Sequence, residues 1–137
     1  MSRTFARETT FKLVFEYAFL KQINPLTLED FLLLEKITED DKVYIKQTYS
    51  KIASNYDEIL ALIEKNLKNY TLGRIYKTDL AILILATYEI KFAKDTVPSI
   101  VINEAVELSK KYSTDKSFSF VNGVLASIVK EEDADGK

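Results

Sequence analysis

Cysteine and histidine are both missing from this 137-residue chain. Without cysteine there is no disulfide and no thiolate metal site. Without histidine the usual general base and the commonest metal ligand are gone. Glycine occurs 3 times and proline 2 times, which leaves little material for β-turns. No apolar run reaches the roughly 18 residues of a membrane span, and the N-terminus has no apolar core of a secretory signal, so a soluble, cytoplasmic protein is expected. Catalytic groupings are equally scarce: there is no serine in a strand–turn–helix elbow, no glycine-rich phosphate loop and no calcium-type spacing. Paired carboxylates occur only at Asp40-Asp41 and Glu131-Glu132, in a helix start and a tail. Such a chain is expected to bind rather than catalyse, with no cofactor and no metal.

What is present is apolar. Hydrophobic residues make up 47% of the chain and aromatics 12%, enough for the core of one domain. The net charge of −2 argues against a generic nucleic-acid binder. Along the chain it is uneven: Arg3, Arg7, Lys12 and Lys21 outnumber Glu8 and Glu16 in residues 1–22, a local +2.

Apolar spacings are helical nearly throughout, and the order predicts an all-α protein of about seven helices in two small antiparallel bundles. Helix one is expected over about 3–22, with Ala6, Thr10, Leu13, Tyr17 and Leu20 as its core stripe. A second line, Arg3, Arg7, Phe11 and Phe15, advances by four on another face; it fits an RNA platform of phosphate contacts and stacking rings, and it equally fits core aromatics beside solvated arginines. Thr27 is expected to cap a short helix through about residue 35, and Thr38-Glu39-Asp40-Asp41 to start another. Ser54-Asn55 then offers a cap for a helix carrying Ile59, Leu62, Ile63 and Leu67. Gly73 closes that stretch and Arg74 opens helix five. Its residues 80–86 are apolar on every side and belong in the interior, bracketed by Asp79 and Glu89. Helix six starts at Pro98, where a missing N–H costs nothing, and the polar break Ser113–Ser117 ends it. Helix seven follows from about Lys116, with Val121, Val124, Leu125 and Ile128 inward. Residues 1–130 read as one domain and 131–137 as a disordered acidic tail.

Packing alone would not choose Asn103-Glu104 in an apolar helix or Asn122-Gly123 in the middle of the next. A mid-helix glycine costs about 1 kcal/mol relative to alanine, so close approach of another backbone is expected at Gly123. Asn103 and Glu104 are expected to bond neighbouring backbone and fix helix crossings, and Asn122 to do the same for the loop before it.

VPSIVINEAVELSKKYS followed by SFSFVNGVL, with YTLGRIYKTDLAILILATYE before them and SRTFARETTFKLVFEY at the start, resembles the transcription antitermination protein NusB family over nearly the whole chain. The resemblance implies that the bundles are antiparallel three-helix bundles, with an extra N-terminal helix. It also implies a non-enzymatic factor that binds boxA RNA of ribosomal operons together with NusE, a small-subunit ribosomal protein, and joins RNA polymerase and other Nus factors to read through terminators. The implied RNA-binding residues are Arg3, Arg7, Lys12, Phe15, Lys116, Ser119 and Phe120, with Phe15 in place of a tyrosine and Ser119 in place of a lysine. Those implied at the NusE surface are Tyr70, Arg74, Tyr76 and Asp79. Ile84, where relatives often carry arginine, suits tighter packing or a homodimer surface. A protein-only helical adaptor and a detached accessory domain of an RNA methyltransferase are the alternatives. So few basic residues predict a shallow salt dependence of RNA binding.

Overall fold

The computed structural model describes residues 2–34, 36–68 and 71–135, and among these there are seven α-helices and no strand. Helix α1 spans Ser2–Leu20, α2 Pro25–Leu32, α3 Glu39–Ser54, α4 Tyr56–Lys65, α5 Lys77–Tyr88, α6 Pro98–Tyr112 and α7 Ser117–Asp135, with a 3₁₀ turn at Leu72–Arg74 and a π-helical turn at Glu89–Ala93. Helix α5 is the axis. It packs on α1 and α4 on one side and on α6 and α7 on the other, while α1 also packs on α3 and α6 on α7. Two helical groups therefore share one central helix, as the order of apolar segments predicts.

The reason lies in α5 itself. Every residue from Asp79 to Ile90 is buried, so from Asp79 onward this helix has no solvent face, and each neighbour must turn its own apolar stripe toward it. Ala6, Thr10, Leu13 and Tyr17 do so from α1, but Leu20 is 47% exposed. The helix ends there because Lys21 turns left-handed (φ 60°) and its N–H closes on the Tyr17 carbonyl at 2.8 Å. Ile84 is fully buried; it packs inside and offers nothing to a homodimer surface.

Helix starts follow local chemistry. Thr38 and Asp41 form a reciprocal capping box, with Asp41 N–H to Thr38 Oγ1 at 3.1 Å and Thr38 N–H to Asp41 Oδ2 at 3.3 Å, aspartate serving where glutamate is usual. Helix α2 is capped by Asn24, not Thr27: Asn24 Oδ1 accepts from the N–H of Leu26 and Thr27, Pro25 takes the first helical position, and the Thr27 hydroxyl donates instead to Glu16 at 2.9 Å. Asn55 turns its amide back onto the Lys51 carbonyl at 2.8 Å, so no side chain caps α4. Arg74 closes the 3₁₀ turn and α5 begins only at Lys77. Pro98 opens α6 as expected.

Two features differ from the sequence reading. The π-helical turn after Tyr88, ended by left-handed Lys94 (φ 56°), has no counterpart in the apolar pattern. Helix α7 runs past Lys130, where the charge run suggests fraying, as far as Asp135. Glu131 pairs with Lys65 and accepts from Asn66 at 2.9 Å, while Glu132 pairs with Lys91 at 3.4 Å. The acidic residues face α4 and the π turn, and partners on those elements hold the last turns in place.

Candidate nucleic-acid interface

Helix α1 runs antiparallel to α5, so its first turns lie by Glu89 and its last by Lys77. At the Glu89 end the arginines expected on the surface are largely engaged. Arg7 is 5% exposed. Its Nε and Nη2 donate to both oxygens of the buried Glu89 carboxylate at 2.8–3.1 Å, and Nη2 also reaches Thr96 at 3.3 Å. Tyr44 adds a third donor to Glu89 at 3.0 Å. Burial opposes the arginine's charge, but Glu89 outweighs it, and the guanidinium pKa is raised. Burial first, and then the Glu89 charge, raises the Tyr44 phenol as well, keeping it a donor. A group so committed has no freedom to meet a phosphate. Arg7, expected in the RNA set, is a core residue joining α1 to the π-helical turn that follows α5, because the Glu89 carboxylate buried there has to be matched. Arg3 is exposed, with its guanidinium 4.3 Å from the Tyr44 ring centroid.

Further along α1 the outward line becomes aromatic. Phe11 is buried, Phe15 half-buried and Phe19 57% exposed. Ring centroids stand 6.5 Å apart from Phe11 to Phe15 and 5.2 Å from Phe15 to Phe19, the latter pair edge-on at 74°. Tyr112 of α6 packs on Phe11 at 5.1 Å. Cations accompany these rings: Lys12 and Lys111 lie 5.8 and 5.4 Å from the Tyr112 centroid, Lys77 5.6 Å from Phe19, and Lys110 5.4 Å from Phe118, which is 43% exposed. Glu8 accepts from Lys111 at 2.7 Å and from the Tyr112 hydroxyl. Partial burial pushes its carboxyl up, but these two donors outweigh it and hold the pKa below the ordinary value.

A cleft of about 260 Å³ opens where α5 and α7 begin, lined by Arg74, Tyr76, Asp79, Lys116 and Phe120 among others. The sequence reading divides these residues between RNA and a protein partner; the fold puts them in one place. Arg74, Tyr76 and Lys116 are exposed and Phe120 is half-buried. Asp79, expected to face the partner, is 4% exposed. Its two oxygens accept from the hydroxyls of Ser113 at 2.5 Å and Ser117 at 2.9 Å, which ties the α6–α7 turn to the start of α5. Ser119 is exposed, in a neighbouring hollow with Asn66, Lys68 and Gly123. Tyr70 lies outside the described residues.

The four positions expected to be structural divide too. Glu104 is half-buried and accepts from Thr4 at 3.3 Å, joining α6 to α1. Asn103 and Asn122 are exposed, because each falls on the outer side of its helix, and they fix no crossing. A Cβ on Gly123 would meet nothing within 4 Å among the described residues, so none of their backbones requires a glycine there.

Phe19, Phe118, Lys77, Lys110, Lys111 and Tyr112 belong to this face and escaped the sequence reading. Phe19 was within reach, since it continues the line Arg3, Arg7, Phe11, Phe15 by one more step of four. The lysines come from α5 and α6 and meet the rings only in three dimensions. Open aromatic faces beside ammonium groups suit a ligand that carries both flat bases and negative charge. Among the described residues no group of acids could hold a metal ion, and no helix is long and apolar enough to cross a membrane.

The sequence profile of the NusB family matches residues 4–130. The transcription antitermination protein NusB of Finegoldia magna is 37% identical over 133 residues, covering 97% of both chains. That of Clostridium perfringens is 40% identical, covering 95% of this chain and 98% of its own. Among solved structures, T. maritima NusB superposes with a TM-score of 0.87 at 34% identity, over 96% of this chain and 92% of its own. The NusB fold in a complex of antitermination factors NusB and NusE with double-stranded RNA superposes with 0.84 at 28% identity, over 96% and 99%. Matched by the family profile along nearly its whole length and by relatives of the same size and fold, the chain belongs to the NusB family.

Proposed function

We propose that this chain is an RNA-binding transcription antitermination factor. It takes boxA-type RNA of ribosomal operons together with a NusE-type ribosomal protein, and through that complex helps RNA polymerase, with other Nus factors, read through terminators. It works in the cytoplasm and catalyses nothing. The observation that carries the reading is the aromatic and cationic face formed by α1, the start of α5, the end of α6 and the start of α7. Lys12, Phe15, Lys116 and Phe120 are its proposed RNA contacts, with Ser119 and Arg3 at its margins. The relatives' names and the solved complex of NusB with NusE and RNA favour the same partners. Arg74 and Tyr76, in the cleft beside Lys116 and Phe120, are placed to meet RNA and protein partner together.

The test is anisotropy of a labelled boxA RNA against a scrambled control, titrated first with this protein alone and then with NusE from the same source. Preferential binding that tightens with NusE is expected. Lys12→Gln and Lys116→Gln should each flatten the salt dependence by about 0.7 in log–log slope per phosphate released. Because Arg7 is buried, the informative single substitutions are Phe15→Ala and Phe120→Ala. Equal binding of both RNAs under both conditions would overturn the reading in favour of a protein-only adaptor, which the burial of Arg7 makes the natural second choice.

A further inference from the structure

We propose that Phe19 and Lys77 form an additional base-stacking position, one step beyond Phe15, that takes an unpaired nucleotide of single-stranded RNA whatever its base. This rests on the RNA-binding reading and adds a residue pair to its site. Phe19 is the most open ring of the α1 ladder at 57% exposure. Its edge-on contact with half-buried Phe15 at 5.2 Å supports one side of the ring and leaves the rest open to a stacked base. Four residues of helix advance about 6 Å, so two neighbouring bases can use Phe15 and Phe19 in turn. Lys77, from the first turn of α5, holds its ammonium 5.6 Å from the Phe19 centroid on a flexible stem that reaches a backbone phosphate as readily.

The cation decides between ligand classes. A protein partner would have to bring both an apolar side chain for Phe19 and a separate carboxylate for the Lys77 ammonium to this one spot. A nucleotide brings its own anion to that spot. Beyond Lys77 the surface continues through Tyr76, 64% exposed, into the cleft of Arg74 and Lys116, giving the strand a path onward. Stacking without base-edge hydrogen bonds tolerates any sequence, so this position adds affinity and leaves selectivity to other contacts.

The chain contains no tryptophan, so Phe19→Trp places a single indole at the site. The probe is a single-stranded RNA of about 12 nucleotides, within the size range such grooves accommodate, in boxA and scrambled versions. Emission from the indole should be quenched as RNA is added. Phe19→Ala should weaken both RNAs by a similar factor, about 5- to 150-fold. Lys77→Gln should lower the salt slope by about 0.7. If Phe15→Ala weakens binding while Phe19→Ala binds like the parent and the indole emission stays unchanged, the additional position is overturned and the RNA reading stands. Quenching by the NusE-type protein without RNA would overturn the proposal in favour of a protein contact. If the parent binds neither RNA, alone or with that partner, both readings fall together.

Discussion

Glu89 and Asp79 sit at opposite ends of α5, both buried, and they are satisfied in different ways. Glu89 meets a full opposite charge, Arg7, with Tyr44 as a further donor. Among the described residues Asp79 meets the hydroxyls of Ser113 and Ser117. At the first end a basic residue of α1 is drawn inward and its charge is lost to any ligand. At the second the carboxylate is held by neutral groups, and the basic residues around it, Arg74 and Lys116, stay in the open cleft. The same helix thus consumes positive charge at one end and leaves it available at the other, which is why the proposed binding face lies toward Asp79 and the end of α1.

The strongest way to break this comparison is to unpair the first cluster. Arg7→Ala or Glu89→Ala leaves a buried charge alone and should lower stability by about 3–5 kcal/mol, read as a fall in the urea midpoint. Arg7→Met with Glu89→Leu replaces the whole pair by apolar groups and should come close to parental stability with RNA affinity intact. Loss of RNA binding in that folded double variant would return Arg7 to the binding site. Asp79→Ala should cost less, about 1–3 kcal/mol, because it strands two hydroxyls rather than a charge; thermal melts would show whether the order is reversed. The smallest effect belongs to Glu8, midway along α1. Its pKa is lower folded than unfolded, so its contribution is complete above about pH 4.3, the ordinary glutamate value, and is lost as pH falls through the folded value. Lys111 is 62% exposed in this pair and water screens it. The parent should therefore lose only a small advantage over Glu8→Gln below pH 4.3, measured by denaturant midpoints across that range.

Much of the fold was legible because apolar spacing and capping chemistry are local. The seven helices, the buried stretch 80–86, the helix start at Thr38, the Pro98 start and the Ser113–Ser117 break follow from neighbours within a few residues. The misreadings share a different cause. Arg7 looks solvated until Glu89, 82 positions away, is placed beside it, and the acids after Lys130 look unpackable until Lys65 and Lys91 arrive. Thr27 gave way to Asn24 because asparagine directly before a proline at the first helical position is the better-placed cap. The candidate interface was half legible: Phe15 and Lys12 lie on one helix, whereas Lys77 and Lys110 join them from elements far along the chain. Gly123 was singled out correctly as unusual but for a reason the packing does not support. Gly123→Ala should raise the melting temperature of the free protein by the equivalent of about 1 kcal/mol; a loss of partner binding in the same variant would show that the open side of α7 is used.

A helix enclosed on every side and fastened at both ends has a consequence for when its backbone can meet water. Deuterium can reach the amides of α5 only if its neighbours part from it, and these include α1, α3, α4, α6 and α7. Those amides should exchange at the rate set by unfolding of the entire chain, while α2, with no buried residue, exchanges by local opening. The slowest-exchanging amides would then mark one continuous segment, and any substitution at either buried acid would be felt along its full length at once.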